Sequence, residues 1–125
     1  MSQKILVVDD NNDSRELIHV LLTRMGFTVV DALDGREGLY KAHAEHPDLI
    51  ITDIGMPQLD GIGMIRALRA QSYFEDLPIL ALTSYGRKQR EEAMKAGANR
   101  VLKKPSAFES LVSAVQELLP VGDPP

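Results

Sequence analysis

Two short apolar runs that each lead into aspartate place the strongest constraint on how this chain folds. The first covers 5–8 and is followed by Asp9 and Asp10, and the second covers 48–53 and ends in Asp53. Continuous apolar runs rich in β-branched residues are typical of strands buried on both faces, and such strands occur in parallel sheets covered by helices. The two runs therefore predict a layered α/β fold whose strands end in acidic residues.

Strand-like and helix-like segments alternate along the rest of the chain. Further strands are predicted at 27–30, 79–83 and 101–102. Asp34-Gly35 marks a turn, and Asp60 is a predicted helix N-cap. Apolar residues at helical spacing indicate a helix after every strand. Five strand–helix repeats predict a doubly wound (βα)5 α/β fold, in which a five-stranded parallel sheet carries helices on both faces.

The composition favours a single soluble domain in a reducing compartment. The chain has 125 residues, a net charge of −4 and no cysteine, which excludes disulfides and thiolate metal sites. The acidic balance disfavours direct binding to nucleic acid, and no apolar run reaches the roughly 18 residues of a membrane span. We expect a cytoplasmic domain over 1–120, a short tail over 121–125 and no effector domain after it.

Polar side chains follow the predicted strands at one edge of the sheet. Asp9 and Asp10 follow the first strand, Asp53 ends the third, Thr83 ends the fourth and Lys104 follows the fifth. Ligands of open α/β sheets bind at the carboxyl ends of the strands where the strand order reverses, which lies between strands one and three if the order is 2-1-3-4-5. We therefore expect these side chains to converge on one cleft.

The charge of this cleft favours a hard divalent cation. Three clustered carboxylates repel one another, and a single ammonium does not offset them. Only oxygen ligands are available, which favours Mg²⁺. Asp53 is then a candidate nucleophile that forms an aspartyl-phosphate, while the metal ion, the Thr83 hydroxyl and the Lys104 ammonium supply charge stabilisation.

Each site residue taken alone also has an ordinary structural explanation. Asp9 or Asp10 could cap the first helix, because acids at strand ends often do so. Thr83 could be a cap or a strand-end residue, and Lys104 could be a solvated charge. The functional interpretation depends on all of them lying together.

At these residues the sequence resembles the receiver domain of two-component response regulators, of the chemotaxis-regulator type, over about 4–119. The resemblance is carried by Ile-Leu-Val-Val-Asp-Asp at 5–10, Ala-Leu-Asp-Gly-Arg-Glu-Gly-Leu at 32–39, Asp-Leu-Ile-Ile-Thr-Asp-Ile-Gly-Met-Pro-Gln-Leu-Asp-Gly at 48–61, Leu-Pro-Ile-Leu-Ala-Leu-Thr-Ser at 77–84, Gly-Ala at 97–98 and Lys-Pro at 104–105. The motifs are specific because they occur together, in order and at the correct spacing. The resemblance also implies a flavodoxin-like fold with the strand order 2-1-3-4-5.

The resemblance implies a phosphoacceptor and a metal site. Asp53 is expected to accept a phosphoryl group from the phosphohistidine of a sensor histidine kinase or from a phosphotransfer protein. Asp9 and Asp10 are expected to hold Mg²⁺ together with the backbone carbonyl of Gly55. The domain would then be a switch that assists its own phosphorylation and dephosphorylation, not a multiple-turnover enzyme.

The resemblance also implies how the signal leaves the site. Thr83 is expected to move toward the phosphoryl group, and Lys104 is expected to pair with one of its oxygens, next to a cis Lys104–Pro105 peptide bond. The output face is formed by the fourth helix, the fifth strand and the fifth helix. An unknown protein reads this face, and the chain is a monomer or a phosphorylation-dependent dimer.

Several positions depart from the family pattern. Val101 stands where receivers usually carry the aromatic switch residue, so aromatic rotation cannot relay the signal in that form. Ser106 replaces a frequent phenylalanine after Lys-Pro, and Phe108 is expected to fill the core in its place. Gly55 presents no side chain to the phosphoryl group. Tyr85 either shields the aspartyl-phosphate from water or is an exposed turn residue.

Three other functions compete with this one. A pseudo-receiver would be an interaction module that never takes up phosphate. A phosphatase of the haloacid-dehalogenase type would need a second aspartate two residues after its nucleophile, but Asn11 and Asn12 follow the first-strand acids at that distance. A flavin-binding domain would need a phosphate loop after the first strand, and the acidic loop here would repel phosphate.

Two further sets of residues remain outside the predicted site. Arg87, Lys88 and Arg90 form a basic patch that is either a solvated helix face or a docking surface for an acidic partner. Three histidines without metal-ligand spacing are predicted to be surface residues: His19, His43 and His46.

Overall fold

The fold is a five-stranded parallel sheet between two layers of helices. The structure is a computed structural model, and it describes residues 3–56, 60–84, 86–104 and 108–119. Within these residues the strands are β1 (Lys4–Val8), β2 (Thr28–Ala32), β3 (Leu49–Asp53), β4 (Ile79–Thr83) and β5 (Arg100–Lys103). Their order is β2-β1-β3-β4-β5 and every pair is parallel, which confirms the predicted fold and strand order.

A helix follows every strand of the described chain. These helices are α1 (Asn12–Arg24), α2 (Gly35–Glu45), α3 (Gly61–Arg69), α4 (Arg87–Ala96) and α5 (Phe108–Leu118). A short 3-10 turn at Ser72–Phe74, which the sequence analysis did not predict, precedes β4. No helix among the described residues combines the length and the apolar character needed to cross a bilayer.

Two apolar clusters lie on opposite faces of the sheet. Leu6 and Val8 of β1 belong to the cluster that includes residues of α2, α3 and α4. Ile5 and Val7 of the same strand belong to the cluster that includes residues of α1 and α5. Because successive side chains of a strand point to opposite faces, a strand covered on both sides must be apolar throughout. This explains the uninterrupted apolar runs in the sequence.

At the helix starts, one predicted N-cap is confirmed and one predicted turn is corrected. Asp60 caps α3, since its Oδ1 accepts a hydrogen bond of 2.7 Å from the N–H of Gly63. The predicted turn at Asp34-Gly35 is instead the start of α2, where Asp34 Oδ1 accepts from the N–H of Glu37 at 2.8 Å. An aspartate before a glycine suits both a turn and a cap, so the local sequence does not separate them.

The second strand lies slightly later in the chain than predicted. β2 covers Thr28–Ala32, because Asp31 and Ala32 continue the parallel pairing with Val7 and Val8. β2 is an edge strand, and Asp31 is only half buried there. The apolar pattern alone therefore indicated its beginning better than its end.

Candidate functional site

Three carboxylates lie together at the carboxyl edge of the two central strands. Asp9 follows β1 directly, Asp53 ends β3, and the pairing of Val8 with Thr52 sets these strand ends side by side. Oxygens of Asp9, Asp10 and Asp53 all lie within 4.8 Å of one another. Asp9 and Asp53 are buried, whereas Asp10 is exposed. The structure thus brings together all three acids that the sequence pointed to.

The Lys104 ammonium lies within the same cluster. Its Nζ is 3.2 Å from Asp9 Oδ2 and 3.6 Å from Asp53 Oδ1. The backbone places it there, since the N–H of Lys104 donates to the carbonyl oxygen of Thr83 at 2.6 Å and so continues the pairing of β5 with β4. The interpretation of Lys104 as a solvated surface charge is therefore wrong.

The pKa of Asp53 is raised in the folded chain, and Lys104 only partly opposes the increase. Burial is the largest influence and raises the pKa of Asp53 above its ordinary value. The Lys104 ammonium opposes this increase, and the Asp9 and Asp10 carboxylates add to it. A hydrogen bond from the N–H of Ile54 lowers the pKa of Asp53 by a smaller amount. The pocket therefore favours a further positive charge.

Asp9 is held in place by the start of α1. Its Oδ1 accepts a hydrogen bond of 2.9 Å from the N–H of Asn11, and its backbone carbonyl accepts one of 2.8 Å from Arg15 Nη1. Asn11 is the N-cap of α1, with its own Oδ1 accepting from the N–H of Ser14. The alternative that Asp9 or Asp10 caps this helix is therefore wrong. The sequence analysis missed both Asn11 and Arg15, although Asn11 belongs to the polar cluster after β1.

Thr83 connects the site to α4. It is the buried last residue of β4, and its hydroxyl donates a hydrogen bond to Gln89 Oε1 in α4. The N-cap of α4 is Gly86, so Thr83 occupies a strand end and does not cap that helix. The contact with Gln89 had no signal in the sequence, because it depends on how α4 packs over the end of β4.

Two glycines that follow Asp53 differ in how much space surrounds them. Gly55 is exposed in the loop after β3, and a Cβ added there would meet no atom within 4 Å. At Gly61 a Cβ would press on the carbonyl oxygen of Asp53 and lie 2.8 Å from Ile54 Cα. Gly61 therefore lets α3 begin directly against the end of β3, a role that the sequence analysis did not assign to it.

Val101 lies beside a cavity between α4 and β5. Val101 is buried at 4% exposure. The cavity measures about 240 Å³, and the described residues that line it are Thr83, Gly86, Arg87, Arg90, Val101 and Lys103. Two of the three residues of the predicted basic patch therefore face this cavity.

The histidines lie away from the acidic cluster. His43 and His46 are exposed, as predicted, and His46 Nδ1 lies 2.7 Å from the hydroxyl of Tyr73. His19 is half buried, and its Nδ1 lies 3.0 Å from Asp31 Oδ1. Within the described chain no histidine joins a cluster of potential metal ligands.

Some predictions concern residues outside the described ranges. These are the shielding role of Tyr85, the Lys104–Pro105 peptide bond, Ser106 and the tail over 121–125; the side chain of Phe108 is also not described. They stay predictions.

The donor chemistry of the cluster fits a magnesium ion. Its three side chains offer only carboxylate oxygens, which Mg²⁺ prefers over softer ligands. A divalent cation there would favour the ionised form of Asp53, whose pKa burial raises.

Comparison with known proteins identifies the same kind of domain along almost the whole chain. The family described as "Response regulator receiver domain" matches residues 5–116. Response regulator MprA of Mycobacterium ulcerans (strain Agy99) is 41% identical over 120 residues, which are 95% of this chain and 51% of that protein. The chain spans about half the length of the first curated relatives that it matches.

Solved structures share the fold. Chemotaxis protein CheY4 of Vibrio cholerae has a TM-score of 0.89 and 36% identity, over 95% of this chain and 100% of that one. The receiver domain of sensor histidine kinase PA1611 from Pseudomonas aeruginosa PAO1 has a TM-score of 0.87 and 33% identity, over 94% of this chain and 98% of that one. That structure holds a magnesium ion coordinated in its active-site cleft.

Proposed function

We propose, since this chain belongs to the family of response regulator receiver domains, that it accepts a phosphoryl group on Asp53 and signals through contacts with a partner protein. The observation that carries the proposal is the cluster of Asp9, Asp10 and Asp53, with the Lys104 ammonium between two of them. Receiver domains act as modules of signal transduction, and we assign this chain a switch function and no multiple-turnover activity.

The proposed reaction is a phosphoryl transfer from phosphohistidine. A carboxylate oxygen of Asp53 attacks phosphorus, the bond from phosphorus to the imidazole nitrogen breaks, and the imidazole leaves with the electron pair of that bond. The product is an acyl phosphate on Asp53. Lys104 Nζ, already 3.6 Å from Asp53 Oδ1, would neutralise charge on a phosphoryl oxygen. In this way the domain assists its own phosphorylation.

We further propose that Asp9, Asp10 and Asp53 hold Mg²⁺, together with the backbone carbonyl of Gly55. A bound Mg²⁺ would offset the charge of the three acids and of the incoming phosphoryl oxygens. The all-oxygen donor set supports this assignment, as does the magnesium ion in the PA1611 receiver domain. The hydrogen bond from Asn11 and the bond from Arg15 fix the position of Asp9.

Thr83 is the proposed reporter of phosphorylation. Its hydroxyl donates to the neutral amide oxygen of Gln89, and a phosphoryl oxygen on Asp53 would be a stronger, charged acceptor. Transfer of this hydrogen bond would remove one tie between β4 and α4. This route needs no aromatic residue at position 101, so it suits a chain that carries Val101.

The donor and the reader are proposed by class. The donor is a sensor histidine kinase or a phosphotransfer protein. The reader is a protein that docks on the face formed by α4, β5 and α5. The receiver itself is a monomer or a phosphorylation-dependent dimer.

Intact-mass measurement with Mg²⁺ and acetyl phosphate tests the proposed function. The wild-type chain should gain a single phosphoryl group, an increase of about 80 Da. Asp53→Asn should abolish the gain, and chelation of Mg²⁺ should suppress it. The matched control is Asp76→Asn, which changes an exposed aspartate outside the carboxylate cluster and should leave the gain intact.

Other outcomes of this experiment point to the competing functions. A wild-type chain that takes up no phosphoryl group would be a pseudo-receiver. Sustained multiple turnover of a generic phosphate ester would indicate a phosphatase. Either result would remove the proposed switch.

A further inference from the structure

The cavity between α4 and β5 has a basic rim. Its volume of about 240 Å³ falls below the roughly 300–1,000 Å³ of pockets that hold whole drug-sized ligands, so it suits a single side chain. Thr83 and Val101, both buried, contribute the inner lining. Arg87, Arg90 and Lys103 contribute positive charge, and no acidic side chain occurs among the described residues of the lining.

The guanidinium groups of the two arginines at this rim have no hydrogen-bond or ion-pair partner within the described part of the chain. Arg87 and Arg90 are exposed, and neither guanidinium group makes a hydrogen bond or an ion pair with another described residue. Other basic residues are engaged: Arg100 pairs with Glu117, and Arg69 donates to backbone carbonyls. Guanidinium groups left unpaired beside a cavity present planar donors that match a carboxylate.

We propose that this cavity binds an aspartate or glutamate side chain of the partner protein that reads the switch. The inference rests on the proposed function and deepens it, because it names the chemistry by which the reader is recognised. A peptide carboxylate fits better than nucleic acid for two reasons. The lining is one pocket with an apolar wall at Val101, not a basic stripe that follows a backbone, and the chain as a whole carries a charge of −4.

Thr83 couples this cavity to the acidic site. The residue lines the cavity, and its hydroxyl is bonded to Gln89 of α4. A phosphoryl group that draws this hydroxyl away would change the inner wall of the cavity and release α4, which carries Arg87 and Arg90. By linkage, a ligand that prefers the phosphorylated form must in turn stabilise the phosphoryl group on Asp53.

An NMR titration of the isotopically labelled full chain tests the proposal. The probe is a ten-residue peptide of alternating glutamate and leucine, and the control peptide carries glutamine in place of glutamate. We expect the glutamate peptide to shift the backbone amide signals of Gly86, Arg87 and Val101. We also expect it to bind about tenfold more tightly than the glutamine peptide, a difference of about 1.4 kcal/mol.

Two variants separate charge from shape. The double substitution Arg87→Gln/Arg90→Gln should weaken binding of the glutamate peptide about tenfold, by about 1.4 kcal/mol. The matched double control Arg24→Gln/Arg36→Gln changes exposed arginines outside the cavity and should not. Val101→Tyr should block binding, because the larger side chain fills the cavity and leaves its basic residues unchanged.

Several results would overturn the proposal. They are equal affinity for the two peptides, equal losses in the cavity and control variants, signals that shift elsewhere on the molecule, and unchanged binding by Val101→Tyr. A single-stranded oligonucleotide that displaces the glutamate peptide at a lower concentration than free peptide does would assign the surface to nucleic acid instead.

The phosphorylation assay distinguishes failure of this inference from failure of the proposed function. Peptide binding without any gain of mass by the wild-type chain would remove the switch and keep the cavity as a binding site. A normal gain of mass without peptide binding would overturn the cavity assignment alone.

Discussion

The acidic site and the basic cavity share one edge of the sheet but differ in how their charges are satisfied. In the acidic site, Asp9 receives hydrogen bonds from Asn11 and Arg15 and lies 3.2 Å from Lys104 Nζ. In the basic cavity, the guanidinium groups of Arg87 and Arg90 have no hydrogen-bond or ion-pair partner among the described residues. The first region is prepared in advance for its ligand, whereas the second leaves its charge available to another molecule.

This difference indicates that the two regions have different functions, chemistry at the acidic site and recognition at the basic cavity. Preorganised polar groups suit chemistry, because they need not rearrange when charge develops on the phosphoryl group. Exposed cations without an internal ion pair suit recognition, because no existing interaction has to be broken when a partner binds. Thr83 belongs to both regions through its position at the end of β4 and its bond to Gln89.

The largest effect is expected from crowding the acidic site at Gly61. Gly61→Ala would press a methyl group on the carbonyl oxygen of Asp53 and on Ile54 Cα, so it should lower the free energy of unfolding by about 1–3 kcal/mol. It should also slow phosphorylation, because Asp53 would shift relative to Lys104. Chemical denaturation and the mass assay measure the two effects.

Gly55, in the loop between β3 and α3, supplies the matched control. A Cβ there meets nothing within 4 Å, and alanine keeps the backbone carbonyl, so Gly55→Ala should be nearly neutral in both measurements. If Gly61→Ala behaved like Gly55→Ala, the acidic site would not be tightly packed and the contrast with the cavity would lose its structural basis.

A smaller effect is expected at the link between the two regions. Gln89→Leu removes the acceptor of the Thr83 hydroxyl, so phosphorylation should shift the amide signals of α4 by less than half as much as in the wild type. Gln89→Glu keeps an acceptor and should restore most of the response. Unchanged shifts in Gln89→Leu would show that this hydrogen bond does not carry the signal.

The smallest expected effect is a pH-dependent change of stability at Asp53. Its pKa is raised in the folded chain, mainly by burial, so the folded state binds the proton more tightly than the unfolded state. The metal-free protein should therefore lose stability as the pH rises through the unfolded carboxyl pKa of about 3.9, and the loss should be complete above the folded value.

Thermal unfolding without Mg²⁺ measures this effect. Asp53→Asn should have a Tm on the order of a few degrees above wild type at neutral pH, and the gap should close at low pH. Asp76→Asn should show no such gap. A lower Tm for Asp53→Asn at neutral pH would mean that Lys104 more than compensates the buried charge.

The fold was more predictable than the partners of the site residues. The strands at 5–8 and 48–53 could be predicted because burial on both faces favours a run of apolar residues. The end of each apolar run then indicates where the strand ends. The end of β2 was placed too early, since Asp31 pairs with β1 despite its charge at an edge strand. Likewise, Asp34-Gly35 fits a turn and a cap equally well until the helix is seen.

In the site, the sequence revealed the residues at strand ends but not the contacts that helices make with them. Asp9, Asp53 and Lys104 could be grouped because parallel strands bring their carboxyl ends together. Gln89 could not, since its contact with Thr83 depends on the packing of α4. The close approach at Gly61 is likewise a property of tertiary structure and leaves only a glycine in the sequence.

A calorimetric titration of Mg²⁺ into the metal-free chain tests the central claim most directly. The claim is that Asp9, Asp10 and Asp53 share a pocket that a hard cation completes. We predict that the wild type binds a single Mg²⁺ and that Asp9→Asn and Asp10→Asn each bind it much more weakly, while Asp76→Asn binds it as the wild type does. A wild-type chain that takes up no Mg²⁺, or aspartate variants in the pocket that bind it unchanged, would contradict the account.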